Sequence, residues 1–188
     1  MKIYFYLLGF VAFLSCGNPN QMVPDYSSWV RDSASYNEVQ VAAYVRSQCY
    51  TCHSYTAPEK AGRVAPPLVA VKAHYLQIFP SRKEFINGLS HFVLHPSTEI
   101  SQMKGAISRF GLMPIQAYQD SMIARVAAYM YDYKLEEPSW FAAHWQDMNG
   151  ESWKQIGLTP PAVSTSDHNP GLSIALKAKQ ELGKNLMG

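Results

Sequence analysis

Five consecutive residues, Cys49-Tyr50-Thr51-Cys52-His53, hold the chemistry most easily read from this chain. Two thiols separated by two residues, with an imidazole directly after the second, form the spacing of covalent haem attachment. Each thiol can add across one haem vinyl group to make a thioether, and the two-residue gap matches the separation of the vinyls. His53 follows at once, so its imidazole can reach the iron from the same side. Two other readings of a C-x-x-C pair compete. A thioredoxin-like redox pair is expected after a strand and at the start of a helix, whereas this motif falls at the end of a helical pattern. Half of a zinc ribbon needs a second ligand pair at suitable spacing, and the sequence offers none. One covalent haem c is therefore the expected cofactor.

A sixth ligand for the iron is sought among the methionines after the motif: Met103, Met113, Met122, Met130, Met148 and Met187. Met113 lies in Phe110-Gly111-Leu112-Met113-Pro114, a non-helical stretch between two helical patterns. Met103 falls inside a helical pattern and reads as core. Met122 and Met130 share one helix face, and Met148 and Met187 belong to the tail. Histidine is the rival type. His91 and His95 stand four apart on an expected helix, with one expected to face the core and the other solvent. His74 is expected to be partly buried, and His144 and His168 look incidental. Met113 is the preferred ligand opposite His53.

The third cysteine has a different setting. Lys2 is the only charge before Asp25, and Ile3 to Leu14 is an apolar run of twelve residues. Spanning a bilayer core takes roughly 20 residues, so the run reads as the hydrophobic part of an export signal. It leads into Leu14-Ser15-Cys16-Gly17, which resembles a bacterial lipoprotein signal (residues 1–15) with Cys16 as the acylated new N-terminus. Phe13 and Leu14 depart from the usual residues of that signal. Cleavage there removes Lys2, one of 16 Lys and Arg against 14 Asp and Glu, and leaves a net charge of +1. Acyl chains would then be the membrane anchor. One cysteine for lipid and two for haem account for all three. Export agrees with haem attachment outside the cytoplasm, and places the protein at a periplasmic membrane face.

The elements that must position these residues are expected to be helices. Asn37 to Gln48 carries Val39, Ala42, Ala43 and Arg46 at helical spacing, with Ser35 or Asn37 as cap. A Pro-rich loop, 54–67, precedes a short helix over Leu68 to Ile78. Ser81 caps a helix that Pro96 ends; Ser97 or Thr98 opens the next, which Gly111 ends. Gln116 to Tyr133 gives the clearest amphipathic pattern. No strand pair with a hairpin signal appears, so the fold class is all-α. Residues 16–36, rich in Asn, Pro, Gln and Ser, read as a flexible tether. Residues 37–134 form the helical domain. Residues 135–188 form an irregular extension: a turn into an aromatic patch with Trp145 and Trp153, a linker over Thr159 to Gly171, and a possible docking helix over Leu172 to Met187.

In order and motif, Asn37 to Lys134 resembles a class I, mono-haem c-type cytochrome: helix, C-x-x-C-H, Pro-containing loop, middle helices, a Met in a loop, final helix. The resemblance implies a cytochrome c-like fold in which the first and last helices cross, bringing Ala42, Ala43 and Tyr44 to the Val126–Met130 stretch. Ala65-Pro66-Pro67-Leu68 is similar to the family's Gly-Pro-x-Leu loop, with Ala65 in place of the Gly. That match implies that the Pro66 carbonyl accepts the Nδ1–H of His53 and fixes the ring. It also implies one-electron transfer with redox partner proteins at the membrane, not catalysis. A haem enzyme of peroxidase type or a gas sensor is the alternative if Met113 is labile, with His91 or His95 as the distal group. A fixed subunit of a larger redox complex is another, and the small net charge leans toward a fixed partner. Nucleic acid is not an expected partner, because no dense basic patch is present.

Overall fold

The computed structural model describes residues 23–163, with Ala61 excepted. The export signal, Cys16 and the helix expected over Leu172–Met187 lie outside the described residues. Six α-helices follow two short 3-10 turns, Tyr26–Trp29 and Ser33–Ser35. They are α1 (Glu38–Tyr44), α2 (Leu68–Ile78), α3 (Arg82–Leu94), α4 (Lys104–Phe110), α5 (Asp120–Asp132) and α6 (Phe141–Asn149). Among the described residues the only β-type pairing is an isolated parallel bridge between Tyr133 and Leu158. The protein is all-α. No helix among the described residues is long and apolar enough to cross a membrane.

Local chemistry sets the helix starts. The Asn37 side chain accepts from Gln40 N–H at the start of α1. Ser81 Oγ accepts from Glu84 N–H and donates to the Glu84 carboxylate, at 3.3 and 2.6 Å, which satisfies an orphan amide of the first turn. The helix expected from Ser97 or Thr98 begins only at Lys104. A turn at Thr98–Ile100 intervenes, and Ser101 Oγ instead accepts from Met103 N–H at 3.2 Å. Likewise the last long helix starts at Asp120, leaving residues 116–119 extended enough to reach back toward the cysteine motif.

The core is built on α5. Its face carries Ala124, Ala127 and Ala128, fully buried, with Ile123, Val126 and Met130 beside them. These small residues let α1 and α3 pack closely against it. On α3 the buried apolar residues are Phe85, Ile86 and Leu89, with Ser90 buried beside them. Helix α2 is buried on both sides. Leu68, Val71 and Tyr75 join the main core, while Val69, Ala70 and Ala73 pack against Phe141 and Trp145 of α6, flanked by Trp140 and Trp153.

One domain boundary read from the sequence needs correction. The expected tether over 16–36 is not a tether from Tyr26 onward, because Tyr26 and Val30 are fully buried and Tyr36 nearly so. The polar residues between them are consistent with solvent contact, but the three apolar anchors reach the core. Arg82 holds the segment from α3: it bonds both carboxylate oxygens of Asp132 at 2.8 Å and the Val30 carbonyl. The Tyr36 hydroxyl also donates to Asp132 at 3.1 Å. At the other end, the extension after Lys134 is continuous with the fold. Lys134 N–H donates to the Leu158 carbonyl and Leu158 N–H to the Asp132 carbonyl, each at 2.8 Å. Gly157 sits at φ +120, where a Cβ would lie 2.9 Å from the Tyr133 carbonyl carbon, so the bridge needs a glycine there.

Candidate haem-attachment site

A π-helical turn, Val45–Cys49, ends the first helix and delivers the cysteine motif. Tyr50 N–H donates to the Val45 carbonyl at 3.0 Å. Such single wide turns cluster at functional sites because they re-aim the side chains that follow. The motif then folds on itself: the Cys49 carbonyl accepts from Cys52 N–H at 3.2 Å and from His53 N–H at 2.9 Å. Both cysteine side chains therefore stand on one compact turn. Cys49 is half-buried and Cys52 exposed. Burial, then the neighbouring Cys52, pushes the Cys49 thiol up to about 12. A dithiol redox centre works by the opposite shift, a lowered thiol.

His53 is held from three directions. Its N–H is bound to Cys49 as above, its carbonyl accepts from Leu68 N–H at 3.3 Å, and its Nδ1 lies 2.7 Å from the Pro66 carbonyl oxygen. A carbonyl only accepts, so Nδ1 carries the proton. The lone pair is then on Nε2. Burial lowers the imidazole's pKa, which keeps it neutral, the form in which it can bind a metal. Pro66 and Pro67 lead into α2, whose N-cap is Pro67, so the start of that helix fixes the carbonyl that orients the histidine.

Within the motif, Tyr50 is structural. Its side chain is buried against the core. Its hydroxyl donates to the Glu136 carboxylate and accepts from Glu136 N–H at 3.2 Å. Arg46 pairs with the same carboxylate. Burial, reinforced by this carboxylate, raises the Tyr50 phenol far above its ordinary value. The ring of Tyr55 meets it edge-on at 5.0 Å. The motif is thus anchored to the chain just after α5.

Met113 follows α4, which buries none of its residues. Gly111 ends that helix at φ +81, a conformation glycine adopts without strain. Met113 itself is half-buried, between exposed Leu112 and Ile115. The same loop runs on to Tyr118, whose phenol is raised by burial and by the nearby Cys49 and Cys52 sulfurs. Tyr118 therefore lies beside the cysteine pair. The other methionines fall elsewhere. Met103 precedes α4 and packs on the core, and Met130 is buried within it. Met122 is half-buried, Met148 is exposed, and Met187 lies outside the described residues.

His91 and His95 have rings 5.6 Å apart. His91 is the more buried, with an Nδ1 that has no partner, and burial lowers its pKa. His95 is exposed. Among the described residues no group of three or more His, Cys, Asp or Glu is placed to hold a metal ion. His74 packs on Trp145 with ring centres 5.2 Å apart. His144 is not incidental: its Nδ1 lies 3.1 Å from Glu59. Glu59, Arg63 and Tyr118 did not stand out in the sequence, since each is a common residue with no motif around it, and Trp140 showed only as the start of the turn into the aromatic patch. A Trp dense patch after residue 138 was the one available signal. The chain matches no protein-family model, no curated protein and no solved structure.

Proposed function

We propose that this chain is a c-type cytochrome that carries single electrons at a membrane surface. Cys49 and Cys52 would hold one haem as thioethers, with His53 and Met113 as the iron's axial ligands, and Cys16 would bear the lipid anchor. The observation that carries the reading is the fixed His53 ring: Nδ1 is 2.7 Å from the Pro66 carbonyl, in a histidine that directly follows two thiols on one turn. A proximal ligand needs this second bond to set its tautomer and angle. The surroundings suit a flat apolar group as well. Helix α4 has no buried face, and Leu112 and Ile115 of the Met113 loop are exposed, so apolar surface is available to cover it. The packing of α1 on α5 agrees with the helix crossing that the resemblance implies.

Haem held by imidazole and thioether supplies a one-electron couple whose ferrous state the thioether favours. The chain's own part is to bind and to exclude. Cys49 and Cys52 would fix the group's position, the Pro66 carbonyl orients His53, and the Met113 loop would supply the thioether and shield the site from water. With His53 and Met113 both bound to the iron, no position would be left for substrate, which favours transfer over catalysis. The test is direct. Exported full-length protein is denatured, extracted with acid acetone and stained for haem on a denaturing gel. Haem retained by the polypeptide is expected, together with a low-spin ferrous spectrum and a weak far-red band in the ferric state. Haem in the acetone extract, or fast carbon monoxide binding with substantial peroxidase turnover, would overturn the reading in favour of an enzyme or sensor.

A further inference from the structure

The extension after α5 meets the 54–67 loop, whose Pro66 carbonyl orients His53, and Arg63 of that loop links it to the segment just before Met113. Arg63 lies in the 54–67 loop that ends at Pro66. Its guanidinium carbon is 4.6 Å from the Trp140 ring centre and 5.8 Å from the Phe110 ring centre, over both rings. Trp140 belongs to the extension, and Phe110 stands three residues before Met113. The same guanidinium donates to the Glu59 carbonyl, which also accepts from Arg109 of α4 at 3.3 Å. Arg109 in turn lies 5.3 Å from the Phe110 ring centre.

The extension grips the 54–67 loop at two further points. Trp140 Nε1–H donates to the Ala57 carbonyl at 3.0 Å, and His144 bonds Glu59. Neither partner of Arg63 is covalently near the other: Phe110 ends α4, and Trp140 opens α6. A flat cation between two aromatic faces can join them, because both ring faces are negative and the guanidinium is planar and delocalised. A lysine ammonium cannot stack in this way.

We propose that Arg63, clamped between Trp140 and Phe110, is a positioning residue through which the C-terminal extension holds the Met113 loop in place. The inference rests on the haem reading above. Helix α4 has no fully buried residue, only Ala106, Ile107 and Phe110 half-buried, so its contacts through Phe110 and Arg109 help to fix its end. Loss of the clamp removes no atom of the cysteines, of His53 or of its bond to Pro66; it loosens the 54–67 loop around Arg63 and frees the segment that presents Met113.

The experiment uses the full-length exported protein and the variants Arg63→Ala, Arg63→Lys, Trp140→Ala and the double Arg63→Ala/Trp140→Ala. Trp153→Leu serves as control. It removes packing from the same aromatic cluster, where Trp153 meets Phe141 and Trp145, without touching Arg63. Two quantities are read: the rate of carbon monoxide binding to ferrous protein, and amide hydrogen exchange over residues 57–63 and 110–118. All variants are expected to keep covalent haem. Arg63→Ala and Trp140→Ala should each raise both quantities by roughly three- to fivefold, the scale of a half-exposed cation–π contact. The double variant should add little to either, and Arg63→Lys should not restore the wild type. Wild type without covalent haem overturns the site reading and this inference together. Haem-bearing variants that match the wild type in both quantities, or a Trp153→Leu protein that shifts them equally, overturn this inference alone.

Discussion

At the scale of single residues, the site separates into groups that bond and groups that aim. His53 aims through Pro66, and Tyr50 anchors through Glu136 and Arg46. Met113 has only its loop. Its replacement is therefore the cleanest probe of ligation. Met113→Ala should open the iron's sixth position, give high-spin or water-ligated spectra, admit carbon monoxide and lower the midpoint potential, since the electron-accepting thioether is lost. Met103→Ala should leave the spectrum alone and cost stability, roughly 2–5 kcal/mol for a core methionine and less here because Met103 is only partly buried. Equal spectra for wild type and Met113→Ala would move the ligand to another side chain. The cysteine motif stands out because rare residues at fixed spacing carry information without any fold, and the loop of Met113 because Gly111 and Pro114 bracket it. Arg63 and Glu59 were not legible, since their roles depend on partners 47 to 85 positions away that no local pattern announces.

At the scale of elements, the legible helices were those with one buried face. α3 and α5 show it plainly: a capped or acidic first turn, then apolar residues at helical spacing. Helix α2 looked weak for a physical reason. Both of its faces are buried, so its apolar residues run round the helix and leave no stripe. Helix α6 was read only as a turn into an aromatic patch. Its buried residues, Phe141 and Trp145, sit one turn apart among exposed neighbours, and nine residues are marginal for a lone helix in water. Tertiary contact with Val69, Ala70 and Ala73 of α2 makes it stable. Trp145→Ala should accordingly cost roughly 3–5 kcal/mol, the range for an aromatic core truncation. Denaturant unfolding measures it. The ferric far-red band should persist at low denaturant, because Trp145 does not touch Arg63 or the Met113 loop. A loss under about 0.5 kcal/mol, the range of surface substitutions, would mean that α6 is not part of the folded core.

At the scale of the whole molecule, a buried amine joins the parts that sequence reading had separated. Lys72 is fully buried on α2. Its Nζ donates to the Tyr133 carbonyl at 2.7 Å, at the end of α5, and to the Ile156 carbonyl at 2.8 Å, in the extension. Two carbonyls take two of its three protons but supply no full counter-charge, and burial lowers its pKa to about 8 from 10.5. The unfolded chain thus holds this proton more tightly than the folded one. Between pH 8 and 10.5 the unfolded state binds more protons, so stability rises with pH across that window. Below pH 8 the penalty of keeping the charge buried is constant. The buried tyrosines Tyr36, Tyr50, Tyr75 and Tyr129 are all raised by burial. They act with the opposite sign, but only above their ordinary value of 10, where the unfolded phenols begin to ionise. With the proposed haem attached, Cys49 and Cys52 would be thioethers and would not titrate. The rise from pH 8 to pH 10 in haem-bearing protein should be on the order of 2 kcal/mol, read from denaturant midpoints at several pH values. Lys72→Met should be less stable at every pH, since two carbonyls lose their donor, and should show no such rise. A flat wild-type profile, or the same slope in Lys72→Met, would place the titrating group elsewhere and remove Lys72 as the charged link between α2, α5 and the extension.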